Sequence, residues 1–466
     1  MKLFDIKNSD VAWQKSIIIS TIMSFIVLWF ACSRAQFSSY MPDDYMQYTT
    51  VMPIEFFMHQ GRFVMGALSW LLNNYGFGML SPSPIFLPLF LLFTALCSSI
   101  IIFNISDKKN PFILSLLLSI LVVSHPVFSM MAVYHFVVVC FAFSMLCISV
   151  IVCMNRDYYS CIGLKQSILT TILVILVCGN YQPSLFVVST YFLFLFLKES
   201  RSRGVVHSVK IFYPLIAGFL LYILIFKLTK DAFGENNWDA RGGLVQNIPL
   251  RAQEVLSFLP SLFYKNWWLI PSWYSSLMSS SILLFVITCF LKDKIFTIIK
   301  ILFFLISTTA LITPIAAMES WDISPRAMFS ISFVYGILLS SLNIDKTFLK
   351  TKTSIILLTV MSGLISSNSY LMMVDNDNIK DKWIAQEVTK DVLAEGLSGD
   401  DIKIVNSHKK LTVADWAFRG LFLRSTGVDL KIKQPTERDV QECEIGKKFP
   451  EKGYIIKKEM ERLICL

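Results

Sequence analysis

The feature that most constrains this chain is a series of about eleven long apolar runs, near residues 14–32, 84–104, 111–127, 131–154, 165–181, 184–198, 210–229, 276–292, 296–317, 327–342 and 353–373. A hydrocarbon core about 30 Å thick takes roughly 20 apolar residues as a helix. Inside it, only helices and closed barrels satisfy every backbone polar group. Composition agrees, with 55% hydrophobic and only 16% charged residues, where a soluble domain carries about 25%. The expected fold is therefore an α-helical polytopic membrane protein. Lys2, Lys7 and Lys15 before "SIIISTIMSFIVLWFAC" have the form of a signal peptide. That run is longer than an h-region of about 7–15 residues and lacks a small-x-small cleavage site, so it reads as an uncleaved first span.

The net charge of +9 invites a nucleic-acid reading, but the charges form no basic stripe. They gather in short connections instead. With the N-terminus in the cytoplasm, inside loops hold 17 basic residues, and the opposite face, tail excluded, holds eight spread over longer loops. The positive-inside rule produces that bias. An odd number of spans then puts the C-terminal tail outside as well. Long outer loops are expected at 33–83 and 230–275. The first contains an amphipathic, Met- and aromatic-rich stretch suited to the interface. A transmembrane domain over 1–373 would be followed by a small outer α/β domain over 374–466, whose segments alternate between helical and strand-like patterns.

Several functions are disfavoured by what the runs lack. None contains Asp or Glu, whereas ion-coupled transporters need carboxylates near the midplane. A flippase would need polar groups lining a pore. An O-antigen polymerase would be expected to carry Arg-rich outer loops, and a membrane acyltransferase a buried His/Asp pair. Eight of the ten cysteines lie in or beside apolar runs, with no CxxC or Cys/His cluster of zinc spacing. Nothing resembles a nucleotide phosphate loop. Chemistry is left to the outer loops.

"YMPDDYMQY", Tyr40 to Tyr48, lies just beyond the first span. An Asp after Pro at a helix start caps free backbone N–H groups and complements the helix dipole. The other reading is catalytic. Two adjacent carboxylates near a low-dielectric surface raise one another's proton affinity, which suits a general base.

"DDY" after the first span, "GRF" at 61–63, "NYQPS" at 180–184 and "PRAMF" at 325–329 together resemble the bacterial O-antigen glucosyltransferases of the serotype-converting type. These are often prophage-borne, beside a flippase and a polyprenyl-phosphate glucosyltransferase. The resemblance spans residues 1–373, with Phe63 where the family motif has an aromatic Trp. It implies a GT-C-like fold in a bacterial inner membrane, with the outer loops and the C-terminal α/β domain in the periplasm, and transfer of glucose from undecaprenyl phosphate to a sugar of the O-antigen. Asp44 or Asp43 would deprotonate the acceptor hydroxyl, which attacks the anomeric carbon in a single inverting displacement.

The leaving lipid phosphate needs fixed positive charge, for which Arg326, Arg241 and Arg62 are candidates, since a guanidinium binds phosphate bidentately. Arg326, after "SWDISP", is the foremost. A salt bridge to Glu319 or Asp322 is its plainer alternative. Tyr45, Tyr181, Gln182, Trp321 and His135 are candidates for holding sugar; His125 and Tyr134 cluster with His135. The outer tryptophans equally fit an interfacial aromatic belt. No cofactor is implied, and no metal site is expected, although the outer acids leave a divalent ion open. Cys443 and Cys465 would share an oxidising compartment, and either a disulfide or two free thiols fits their spacing.

Overall fold

The computed structural model describes residues 8–36, 40–50, 52–106, 112–156, 163–233, 245–268, 270–317, 323–342, 348–396, 401–407, 409–457 and 461–466. Each apolar run falls largely on helix, with breaks at 124–126 and 133–134. In chain order the first helices are α1 (Asn8–Cys32), α2 (Pro42–Met46), α3 (Ile54–His59), α4 (Phe63–Asn74), α5 (Ser83–Ile105), α6 (Phe112–Val123), α7 (Val127–Ala132), α8 (Val138–Met154), α9 (Leu164–Asn180) and α10 (Leu185–Arg203). There follow α11 (Val205–Ser208), α12 (Tyr213–Phe233), α13 (Ile248–Phe258), α14 (Ser272–Phe290), α15 (Lys294–Ala316), α16 (Ile331–Ser341), α17 (Leu349–Ala394), α18 (Phe418–Thr426) and α19 (Glu437–Ile445).

Among the described residues, seven helical segments are long and apolar enough to cross a membrane. They are Val11–Gln36, Ser83–Ile105, His135–Met154, Val209–Phe233, Ser272–Phe290, Lys294–Ala316 and Leu349–Ala394. Three further expected runs appear as shorter apolar helices, Phe112–Val123, Leu164–Asn180 and Ile331–Ser341. The eleventh, α10, ends in the charged "KESRSR".

With apolar side chains on both the protein-facing and outward sides, hydrophobicity alone cannot pair these helices. Small residues and polar side chains do. Ser99 donates to Ser20 across α5 and α1 at 2.9 Å, and Ser98 to the Ser119 carbonyl of α6 at 3.0 Å. At Gly336 of α16 a Cβ would overlap the Val122 side chain, and at Gly363 of α17 it would overlap the Ser124 carbonyl, so the Val122 side chain seats on one helix and the backbone of residue 124 meets the other. Asp293 caps α15 by accepting from the Phe296 amide at 2.9 Å, which satisfies one orphan donor.

The tail builds a four-stranded sheet from β1 (Asp401–Val405), β2 (Lys431–Lys433), β3 (Ile455–Lys457) and β4 (Glu461–Cys465), in order β2-β1-β4-β3. β1 is parallel to β2 and β4, and β3 antiparallel to β4. Gly427, left-handed at φ +75°, ends α18. A disulfide joins Cys443 of α19 to Cys465 of β4, with Cα atoms 5.2 Å apart. α17 runs unbroken through residue 373. Its last turns supply Ile384, Ala385, Val388 and Val392 to the core of the C-terminal region, and Tyr45 of α2 joins that same core.

Candidate active site

The loop after α1 is short of regular structure, and its backbone groups need other partners. Pro42 starts α2, a position that suits a residue without an amide proton. Asp44 is then the third helical residue. Its carboxylate accepts the Met41 amide at 3.0 Å and the Phe136 amide at 2.9 Å. Asp44 is fully buried. Burial lifts its carboxyl to about 7; the hydrogen bonds from the Met41 and Phe136 amides pull the other way, and the neighbouring Asp43 charge adds to the rise. Asp44 thus ties α2 to the turn His135–Val137, and the capping reading holds for it.

Asp43 faces the other way. Its side chain keeps 29% of its exposure, and its Oδ2 accepts from Arg326 Nη1 at 3.1 Å. The Arg326 guanidinium also lies over the Tyr134 ring, 4.4 Å from its centre. Such a cation–π contact holds the guanidinium flat without consuming its donors. The ion pair therefore joins the loop carboxylate to the foremost phosphate candidate, 283 residues away in sequence.

The four short motifs interlock. Tyr181 donates its hydroxyl to the Arg326 carbonyl at 2.9 Å, and its ring lies 5.6 Å below the Arg62 guanidinium. Gln182 donates to the Gln60 carbonyl at 2.6 Å and to the Tyr222 hydroxyl at 3.1 Å. Gly61, at φ +70°, leaves no room for a Cβ beside that hydroxyl. At Gly179 a Cβ would overlap the Phe63 ring, so the aromatic of "GRF" seats on the helix that leads into "NYQPS".

Arg326 opens onto a cavity of about 210 Å³. Tyr40, Tyr45, Tyr134 and Trp268 line it from the loops, and Tyr370, Asp377 and Thr412 from α17 and the C-terminal region. Of the residues singled out in the sequence, Arg326, Tyr45 and Tyr134 line this cavity, and Asp43 and Tyr181 bond to Arg326. His135 is buried beneath it, stacked on Tyr40 at 4.8 Å. Arg62 and Gln182 stand one layer back, behind Tyr181. His125 packs between Tyr274 and Tyr335, outside the lining. Arg241, Trp321, Glu319 and Asp322 lie outside the described residues.

Sequence reasoning missed the wall built by α17. Tyr370, Met373, Val374, Asp377, Asn378 and Asp381 all line the cavity, at spacings that put them on one helical face. The available signal was the absence of Gly and Pro between Gly363 and Gly396. Asn378 and Asp381 are structural: Asn378 brackets Tyr40 and accepts the Tyr45 hydroxyl at 2.9 Å. Asp381 accepts the Thr412 amide and hydroxyl and the Val413 amide. Gly420 of α18 lies against the Tyr45 carbonyl, where a Cβ would overlap it, and Arg424 covers the Tyr40 ring at 3.2 Å. The C-terminal region therefore clamps the loop that carries both aspartates.

Trp268 carries backbone strain. Trp267 and Ile270 exchange both backbone hydrogen bonds, at 3.0 and 2.8 Å, and Trp268 begins the tight turn between them at φ +52°. Gly or Asn usually fills such a position, and a bulky residue there costs about 1–3 kcal/mol.

An ion-paired carboxylate and guanidinium beside a cavity, in a chain whose described residues include seven helical segments long and apolar enough to cross a membrane, fit a polytopic membrane enzyme. The model of the glucosyl transferase GtrII family matches residues 36–342, well over half of the chain, and this chain belongs to that family: it is a membrane glycosyltransferase. No curated protein matches it. Among solved structures, it is similar to the Archaeoglobus fulgidus oligosaccharyltransferase in its complex with zinc and sulfate, at 9% identity and a TM-score of 0.41. The likeness covers 90% of this chain, which spans 62% of the length of that protein.

Proposed function

We propose that this chain moves glucose from undecaprenyl phosphate to a sugar of the O-antigen on the periplasmic face of the bacterial inner membrane. The observation that carries the reading is the Asp43–Arg326 pair, 3.1 Å apart, whose guanidinium lines the cavity. It unites the two groups that such a displacement requires, a proton acceptor and a fixed cation for the departing phosphate. The orientation rests on the charge bias of the loops. The Cys443–Cys465 disulfide supports an oxidising compartment for the tail. A membrane domain over 1–373 and a small periplasmic domain over 374–466 go with this orientation.

Asp43 is the better base. Both oxygens of Asp44 already accept backbone amides, and no acceptor hydroxyl can reach a side chain with no exposed surface. In the resting state Arg326 holds Asp43. The donor's phosphodiester competes for the guanidinium, which can bind its oxygens bidentately, and leaves the Asp43 carboxylate to the acceptor. The acceptor oxygen then bonds to the anomeric carbon from the face opposite the phosphate. Its proton passes to Asp43, the carbon–phosphate oxygen bond breaks, and polyprenyl phosphate departs against Arg326. The configuration at the anomeric carbon inverts. Tyr134 keeps the guanidinium in place, and Tyr181 anchors its backbone. No metal enters the scheme.

A flippase and a polyprenyl-phosphate glucosyltransferase would deliver the donor. The test is the O-antigen of a host strain with and without this gene. The expected result is one added hexose branch that disappears in an Asp43→Asn strain; an unchanged O-antigen would overturn the reading.

A further inference from the structure

The proposed reaction uses Asp43, Arg326 and their supports, yet much of the cavity surface belongs to other elements. Two side chains there have no hydrogen-bond or ion-pair partner among the described residues. The first is Trp268. Its neighbour Trp267 is buried, packs edge-on against Phe258 at 5.6 Å and donates its indole N–H to the Ile323 carbonyl at 3.1 Å. Trp267 thus anchors the turn, while Trp268 keeps 60% of its surface exposed and lines the cavity from a backbone conformation that disfavours it. An interfacial belt does not need a strained residue: Tyr264 and Trp273 are exposed nearby with no positive φ. Strain retained at a cavity wall points to a task for the ring.

The second is Asp377. On the same face of α17, Asn378 and Asp381 spend their polar atoms on Tyr40, Tyr45, Thr412 and Val413. Asp377 is half-buried, lines the cavity and has no hydrogen-bond or ion-pair partner among the described residues. An ionised carboxylate accepts through two oxygens, which suits neighbouring sugar hydroxyls. An aromatic face suits the apolar C–H side of the same ring. Both residues line the same cavity as the Arg326 guanidinium that the donor phosphate would occupy.

We propose that Trp268 and Asp377 form the subsite for the acceptor, taking an uncharged hexose or deoxyhexose unit with its ring on the indole and its hydroxyls on the carboxylate. This rests on the glycosyl-transfer reading above, and it assigns acceptor specificity to a wall half of which lies beyond the region matched by the family model. Asp377 repels an acidic sugar at this place, so uronic acid units are rejected.

The test uses the full-length chain in nanodiscs, with a soluble oligosaccharide of one to three O-antigen repeats released from the host's lipopolysaccharide. Acceptor affinity is read by saturation-transfer NMR titration, and KM is measured separately for acceptor and donor. Trp268→Gly and Asp377→Asn are each expected to raise the acceptor Kd and KM by about tenfold, with donor KM within about twofold. Trp268→Gly also keeps or raises the melting temperature, because Gly accepts the positive φ, so lost affinity cannot be blamed on misfolding. Trp268→Phe recovers part of the affinity. Wild-type affinity in both variants, an equal loss for donor and acceptor, or no oligosaccharide binding by the wild type would overturn the assignment. A wild type that binds the oligosaccharide but does not transfer from the lipid-linked donor would overturn the proposed reaction and leave the subsite standing.

Discussion

The cavity has two walls of different origin. Tyr134, Arg326 and the adjoining Asp43 come from residues 36–342, which the glucosyl transferase GtrII model matches. Tyr370, Asp377 and Thr412 come from α17 and the C-terminal region beyond it. In the proposed reaction, the first wall carries the charge that makes and breaks the glycosidic bond. The second carries shape, a carboxylate without a partner among the described residues, and the clamp on the aspartate loop. With the acceptor shared between Trp268 of the matched region and Asp377 beyond it, the proposal makes the second wall a partner in recognition and a support that holds the first in register.

The largest expected effect falls on the first wall. Arg326→Gln removes the fixed cation, and transfer should fall by about 10²–10³-fold with the melting temperature little changed. Arg326→Lys should recover only part of this, since a lysine lacks the planar fork. Radiolabelled glucose transfer in vesicles measures both, and a near-normal rate in Arg326→Gln would merge the two walls into one undivided binding surface.

The second wall breaks by stability. Cys443 and Cys465 should be recovered as a linked pair in non-reducing mass mapping. Their removal should cost about 3 kcal/mol, as expected for closing a loop of this length. Two free thiols would contradict the structure. Gly420→Val should drive a side chain into the Tyr45 carbonyl and cost about 1–3 kcal/mol. The lowered melting temperature should come with a loss of transfer, although residue 420 touches no reacting group. Normal transfer in that variant would mean that the C-terminal clamp does not position the aspartates.

The smallest effect is a pH slope. In the folded chain burial raises the Asp44 carboxyl to about 7 from its ordinary 3.8. Between those values the native state holds a proton that the unfolded chain has released, so stability falls as pH rises from about 4 to about 7 and levels off above. Asp44→Asn should flatten this slope in a melting series and lower the plateau at low pH, because an amide cannot accept from both backbone N–H groups. A slope that persists in Asp44→Asn would remove Asp44 as its source.

The helices were legible because burial in lipid leaves long apolar runs; each of the eleven falls largely on helix, and among the described residues seven helical segments are long and apolar enough to cross a membrane. Short motifs such as "PRAMF" flagged Arg326 for the same local reason. The order of Asp43 and Asp44 was not legible. Adjacent residues on a helix point in different directions, and which one meets Phe136 and which meets Arg326 depends on contacts 92 and 283 residues away. The hydropathy change near 373 was also a poor guide to the cavity. Hydropathy records where lipid ends, whereas α17 needs only the absence of a breaker to carry on into the second wall. Trp268 passed for one more belt residue because its positive φ is a tertiary property.

The most direct measurement compares Asp43→Asn with Asp44→Asn in one assay of glucose transfer from polyprenyl phosphate, run below the melting temperature of both. The account predicts that Asp43→Asn folds as the wild type and transfers at least about 10²-fold more slowly. Asp44→Asn should melt earlier yet keep transfer within about tenfold of wild type. Full activity in Asp43→Asn, with transfer abolished in a folded Asp44→Asn, would contradict it.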